Sequence, residues 1–338
     1  MNAISTLPRG LMFTRYVKAL ALNKGSLEGA AAYSAETYGP MSPIARITKA
    51  ASDAGSTLPS SDWGSQLADY SSTVASFLAI VSERSIPGRI GGLVRVPLLT
   101  RLITQIGPAV AAWVGQTLPK PVSEMAFAAD ELPPLKIAAL SVVSNELLRS
   151  ANPVAETWLR DALVNALVLE LNKAFIDPAN AGTEDVKPAS VLHNAPTIPA
   201  TGVWKDDLGA LLGLFEGNAE SASIILNGKT AAGMTGADQP GLDVRGGTLS
   251  GFAVVTDPSV PLGVVGLIDA AQVSYGEDAL RVDASQQGTL VMDSAPAPTA
   301  PATVSLWQRN LVAIRCEQGA NWSVGKVGAT AYLTGVGG

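Results

Sequence analysis

The 338-residue chain holds one cysteine, Cys316, and one histidine, His193. A lone cysteine excludes an internal disulfide and any cysteine-cluster zinc site. A lone histidine excludes a histidine-pair metal site and leaves one candidate base for a Ser-His-Asp triad. Charge is scarce too: Asp, Glu, Lys and Arg make up 15% of residues, against about 25% in an average globular domain. Long apolar runs are missing. The stretch from Leu102 to Pro119 is broken by Gln105, Gly107, Pro108, Gln116 and Thr117, well short of about 20 consecutive apolar residues. No signal peptide is read at the start, where Arg9, Arg15, Lys18 and Lys24 intervene and no continuous apolar segment follows. Apolar residues are nevertheless plentiful, at 47% with a mean hydropathy of +0.25. With no membrane span to hide that surface, burial against other subunits is the expectation. The length suggests about two domains and is ample for a core that needs no staple.

The net charge is −6, unlike the basic balance of nucleic-acid-binding domains. It is uneven. Residues 1–50 carry six basic residues (Arg9, Arg15, Lys18, Lys24, Arg46, Lys49) and two acidic ones (Glu28, Glu36). The plain reading is solvated helix faces; the sharper one is an arm that touches phosphates or an acidic partner.

Residues 11–50 read as helical, broken at Gly25 and at Gly39-Pro40. A polar linker, ASDAGSTLPSSD, spans 51–62 and precedes a second helical stretch carrying Leu67, Tyr70, Val74, Phe77 and Leu78. That stretch ends near Pro87-Gly88 and gives way to an extended basic segment, RIGGLVRVP, at 89–97. Residues 110–145 read as β in the pieces Ala111–Gly115, Glu124–Phe127 and Leu135–Val143. Pro119, Pro121, Pro133 and Pro134 separate them, which suits a projecting two-stranded loop better than a central sheet. The clearest element is a helix from about Pro153 to Phe175, with Asn152 as its cap and Asp177-Pro178 as its stop. Val154, Trp158, Leu159, Leu163, Leu167, Val168, Leu171 and Phe175 form its expected apolar stripe. Beyond it, Leu208–Phe215 reads as helix. Ser223–Leu226, Thr248–Val255, Val260–Ile268, Val273–Tyr275, Ser305–Glu317 and Lys326–Leu333 read as strands, and SAPAPTAPA at 294–302 as a loop. The class is α+β.

Conventional enzyme motifs fail on spacing. Asn227-Gly228-Lys229-Thr230 has the tail of a phosphate-binding loop, but Ser223 stands where the loop needs its first glycine, so a strand followed by a turn is read there. Ser250 in Gly247-Thr-Leu-Ser250-Gly251 lacks the nucleophile-elbow spacing. His193 lies in a polar stretch and reads as a turn residue; Cys316 reads as a small buried hydrophobe. Asp206-Asp207 and Asp130-Glu131 read as solvated caps or turns. No cofactor or metal is implied.

Three stretches resemble the major capsid proteins of tailed bacteriophages, the Hong Kong phage capsid fold. They are Trp113-Val-Gly115-Gln-Thr-Leu-Pro119-Lys120-Pro121-Val-Ser123 with Phe127 and Leu135-Lys136-Ile137-Ala138; Val143-Ser144-Asn145-Glu146-Leu147-Leu148 running into the long helix and Ala174-Phe175; and Trp307-Gln-Arg309-Asn310-Leu-Val-Ala-Ile-Arg315-Cys316-Glu317. Order and spacing together carry the resemblance over about residues 61–338. It implies an N-terminal helical region and linker (1–60), an N-arm (61–109), an extended loop (110–140) and a peripheral domain with a spine helix (141–199). It further implies an axial domain (200–280), peripheral return strands (281–324) and a C-terminal axial strand (325–338).

The implied role is self-assembly as hexamers and pentamers into an icosahedral shell around double-stranded DNA, in a virion assembled in the host cytoplasm. Scaffold, portal and cementing proteins are the implied partners, with no sequence-specific DNA contact and no membrane. Trp113, Lys120, Pro121, Arg89 and Arg95 are the implied inter-subunit contacts. Some members of the family form an isopeptide bond between subunits, and the matching positions here are Lys120, Asn310 and an assisting Glu317. A lysine attacks only once deprotonated, which burial favours, and a carboxylate in an apolar setting can take its proton. Residues 1–60 are expected as an uncleaved arm that extends subunit contacts. Two other readings compete: an encapsulin-like compartment shell, and a soluble hydrolase with His193 as base, which predicts turnover lost in His193→Ala.

Overall fold

The computed structural model describes residues 8–52, 63–105, 127–149, 153–235, 239–278, 280–291 and 303–337. Trp113, Lys120, Pro121, most of the expected extended loop, the cap Asn152 and the 294–302 segment lie outside them. The described chain opens with helices α1 (Leu11–Leu22), α2 (Leu27–Tyr38), α3 (Pro43–Ser52), α4 (Trp63–Arg84) and the short α5 (Ile86–Arg89). Strands β1 (Val94–Arg95), β2 (Arg101–Gln105), β3 (Phe127–Glu131) and β4 (Lys136–Ser144) lead into α6 (Asn145–Arg149) and α7 (Pro153–Ile176). Then come β5 (Thr197–Pro199), α8 (Trp204–Leu214), β6 (Ala222–Leu226), α9 (Gly228–Met234), β7 (Leu242–Asp243), β8 (Gly246–Leu249) and β9 (Phe252–Thr256). The last elements are β10 (Val265–Asp269), β11 (Val273–Glu277), β12 (Arg281–Ser285), β13 (Thr289–Val291), β14 (Thr303–Ser305), β15 (Leu311–Val324) and β16 (Thr330–Thr334).

The chain divides into two compact units, each made of three separate segments. The first takes Met1–Arg84, Ile137–Val168 and Ala279–Gln318; the second takes Ser85–Lys136, Leu169–Asp278 and Gly319–Gly338. These limits differ from the expected ones: the division falls inside the long helix, between Val168 and Leu169, and inside the long strand, between Gln318 and Gly319.

The first unit's core joins Phe13, Val17 and Ala21 of α1 to Phe77 and Val81 of α4, Leu163, Val164 and Leu167 of α7, and Val312, Ile314 and Cys316 of β15. Phe13 and Phe77 meet with ring centroids 4.2 Å apart. A smaller cluster of Tyr16, Leu20, Ala30, Ile44 and Ile47 binds α1, α2 and α3 together. The N-terminal helices are thus part of this unit's interior, and Phe13 and Val17 are fully buried. Local signals set their ends: Ser26 Oγ accepts from Gly29 N at the start of α2, and the left-handed Gly25 closes α1 by donating to Leu20 O. In the same unit Val282 to Ser285 of β12 pair antiparallel with Cys316 to Ala313 of β15.

The second unit is built on a sheet of order β5-β16-β10-β6-β9-β8-β7. Its central strands, β6 and β10, are buried at all five residues each, so they read as continuous apolar runs without alternation. Leu211 of α8, Ile224, Leu226, Val265, Leu267, Ala331 and Leu333 form the core beneath. A second layer stacks Tyr275 on Trp322, with Phe175 edge-on to Trp322 at 5.2 Å.

Several expectations change in detail. Residues 248–255 are two strands, because Ser250 and Gly251 both take positive φ (52° and 91°) and form a two-residue hairpin that pairs Leu249 with Phe252. The strand expected from 260 starts at Val265, and the strand expected over 305–317 is β14, a tight turn and β15. Asn227 is a helix cap: its Oδ1 accepts from Lys229 N, so α9 follows β6 where a turn was expected. In α7, Leu159, Leu163, Leu167, Leu171 and Phe175 are buried as expected. Val154 and Trp158 are 71% and 60% exposed, on the opposite face.

Candidate assembly surface and crosslink site

Asn310 sits in the turn before β15 with left-handed backbone (φ 53°). Its peptide O accepts from Asn145 N at 3.0 Å. The Asn310 side chain is held at both ends: Oδ1 accepts from Asn145 Nδ2 at 2.7 Å, and Nδ2 donates to Glu146 Oε1 at 2.6 Å. Behind them Gln286 Nε2 donates both to Asn145 Oδ1 (3.2 Å) and to Ala21 O (2.7 Å). Glu146's own backbone N–H, then the Asn310 amide, hold its carboxyl below the usual carboxylate range. The result is an exposed amide in one fixed orientation, its carbonyl polarised by a donor. Sequence reading picked out Asn310, and quoted Asn145 and Glu146 only as part of a family-like stretch without linking them to it; Gln286 it missed altogether. The one signal for Asn145 and Glu146 was their place at the β4–α6 junction.

Glu317 lies seven residues further along the extended chain, about 23 Å at the usual strand rise. It pairs with Arg315 Nε at 3.3 Å. The structure therefore does not bring Asn310 and Glu317 together within one chain, and Lys120 lies outside the described residues. The two arginines expected at subunit contacts are engaged internally. Arg89 Nη2 donates to Asp257 Oδ2 and its Nη1 to Thr256 O at 2.7 Å, while Asn172 Nδ2 donates to the same carboxylate at 3.0 Å. Arg95 pairs with Glu277 at 3.0 Å and lies over the Tyr275 ring at 5.2 Å.

Two of the basic N-terminal residues, Arg15 and Lys18, share an internal partner. Glu156 of α7 accepts from Arg15 Nε at 3.0 Å, Lys18 Nζ at 3.3 Å and Tyr38 Oη at 3.4 Å. The Lys18 and Glu156 side chains are only 6% and 8% exposed. For Arg15 and Lys18 this overturns both the solvated-face reading and the phosphate-arm reading: their charge is spent on a buried carboxylate. Burial, with Glu156 beside it, pushes the Tyr38 phenol well above its ordinary value.

The enzyme candidates dissolve into structure. His193 lies in a turn, its Nδ1 3.4 Å from Pro178 O. Cys316 is fully buried, and burial pushes its thiol up to about 12. Asp207 is not a solvated turn residue but is 4% exposed, accepting from Thr201 N and Oγ1. Ser250 Oγ accepts from Trp204 Nε1. Among the described residues no cluster of three or more His, Cys, Asp or Glu could hold a metal, and no helix is long and apolar enough to cross a membrane.

Several large apolar side chains are exposed: Trp307, Trp158, Val154, Met41, Leu140 and Leu262 are each more than half exposed. The Phage capsid family matches residues 98–329, and the chain belongs to that family, a family of structural proteins and not of enzymes. It is 35% identical over 362 residues to the capsid polyprotein of Pseudomonas phage PAJU2, covering 98% of this chain and 54% of that one. The chain thus spans about half the length of that relative. It is 28% identical over 237 residues to the probable major capsid protein gp17 of Mycobacterium phage D29, covering 63% of this chain and 72% of that one. In fold it matches the capsid of a native GTA particle (TM-score 0.50, 19% identity, 75% of this chain and 90% of that one). The architecture is the Hong Kong phage-type capsid fold in the α+β class.

Proposed function

We propose that the chain is the major subunit of a tailed-phage shell, with copies joining as hexamers and pentamers that close an icosahedron around double-stranded DNA. The family match over residues 98–329 carries this reading. The exposed apolar side chains support it, because many modest contacts repeated between copies yield a stable shell. The excess of acidic residues suits a lining that does not hold the genome fast. Scaffold, portal and cementing proteins are the partners such a shell would take, and host cytoplasm its place of assembly. Negative-stain electron microscopy of the purified chain tests the reading. Closed, uniform particles that contain nucleic acid support it, closed particles that hold only protein point to a compartment shell, and only small oligomers across salt and concentration count against both.

Within that shell a crosslink from Lys120 of one copy to Asn310 of another is chemically available. The lysine Nζ attacks Cγ of Asn310, the Nζ–Cγ bond forms, the Cγ–Nδ2 bond breaks, and the lysine's proton leaves with the departing ammonia through a carboxylate such as Glu317 of another copy. The fixed Asn310 amide supports it. Boiling particles in detergent gives a ladder of covalent multimers if the bond forms and a single monomer band if it does not; Asn310→Ala abolishes the ladder.

A further inference from the structure

Trp307 is 79% exposed, more than Trp158. It stands on the turn between β14 and β15, and that turn is locked from within. Leu311 N donates to Leu306 O at 2.8 Å, Leu306 N to Gly288 O at 3.0 Å and Asn310 N to Trp307 O at 3.3 Å. Leu306 beneath it is 1% exposed, and the Asn310 side chain is clamped by Asn145 and Glu146. Arg309, two residues on, is exposed, and among the described residues no carboxylate pairs with it. The turn therefore presents a tryptophan and an uncommitted guanidinium on a backbone whose ordering cost has already been met in the free subunit. Tryptophan and arginine are the residue types that dominate interface energetics.

We propose that this turn is an anchor that docks into a second copy of the chain, Trp307 filling an apolar recess and Arg309 pairing with a carboxylate there. The inference rests on the shell reading and names one contact within it. A second copy is the occupant that charge favours. The chain carries 29 acidic residues against 23 basic ones, so another copy offers carboxylates in excess, whereas a nucleic acid would meet the same excess as repulsion.

Hydroxyl-radical footprinting of full-length chain, as free subunits and as particles, reads the contact directly. Oxidation of Trp307 falls at least tenfold in particles. If Trp307 stays equally reactive while other peptides become protected, the anchor is wrong and the shell reading stands. If no particles form and no peptide is protected, the shell reading fails and takes the anchor with it. Variants separate the two side chains. Trp307→Ala and Arg309→Glu each lower particle yield at least tenfold, and Arg309→Lys stays within twofold of the parent. Cys316 remains unreactive toward maleimide in the free variant subunits, showing intact folding. Arg309→Glu assembling like the parent overturns the pairing.

Discussion

Glu156 is one carboxylate answering two cations and a phenol, all supplied by the N-terminal helices. Glu156→Gln keeps the shape and removes the charge that faces the buried Lys18 ammonium. Breaking a buried pair in this way costs about 3–5 kcal/mol, a loss readable as a lowered urea midpoint. Replacing the buried pair, Lys18→Met with Glu156→Leu, recovers the part of the loss that comes from Lys18, while Arg15 and Tyr38 still lose their acceptor. Cys316 gives a pH dependence of definite sign. Burial, with Asp283 nearby, pushes its thiol from the ordinary 9.0 up to about 12, so the stability it contributes is whole below pH 9 and is lost as pH rises from about 9 to about 12. Across that window the parent loses up to about 1.4 kcal/mol per pH unit relative to Cys316→Ala, as denaturant midpoints at pH 8, 9.5 and 10.5 would show.

At the scale of elements, α7 shows what patterning can and cannot tell. Leu163 is 2% exposed and Trp158 60%, yet both belonged to the same expected stripe. Leu163→Ala costs about 3 kcal/mol through lost burial and a residual cavity; Trp158→Ala shifts free-subunit stability by less than about 0.5 kcal/mol. Thermal unfolding of the two variants checks the contrast. The long helix, the breaks at Gly25 and Gly39 and the buried β6 were legible, since periodicity and glycine act locally. The hairpin at Ser250-Gly251 was not, because a non-glycine residue at positive φ carries little sequence signal. Val154 and Trp158 misled for a different reason. Apolar residues at helical spacing look the same in sequence whether they face the core or, like these two, solvent. The candidate site divides the same way. Asn310 was legible through its family resemblance, while Asn145, Glu146 and Gln286 come to it from distant segments that only the tertiary fold brings together.

At the scale of the whole molecule, both units are discontinuous in sequence. The first closes its core with Leu280, Val312, Ile314 and Cys316, nearly the full chain away from Phe13. A fragment ending at residue 278 therefore lacks one wall of that core. It is expected to bind the apolar dye ANS and to unfold without a cooperative transition in calorimetry, where the full chain shows one.

That same interleaving bears on synthesis. Phe13 leaves the ribosome long before Cys316, and at about 5–20 residues per second the interval is roughly 15–60 s. For that time the first unit has half a core and no closed surface to offer. A chain cut short in translation therefore never completes that core, and its apolar face stays open to degradation or aggregation.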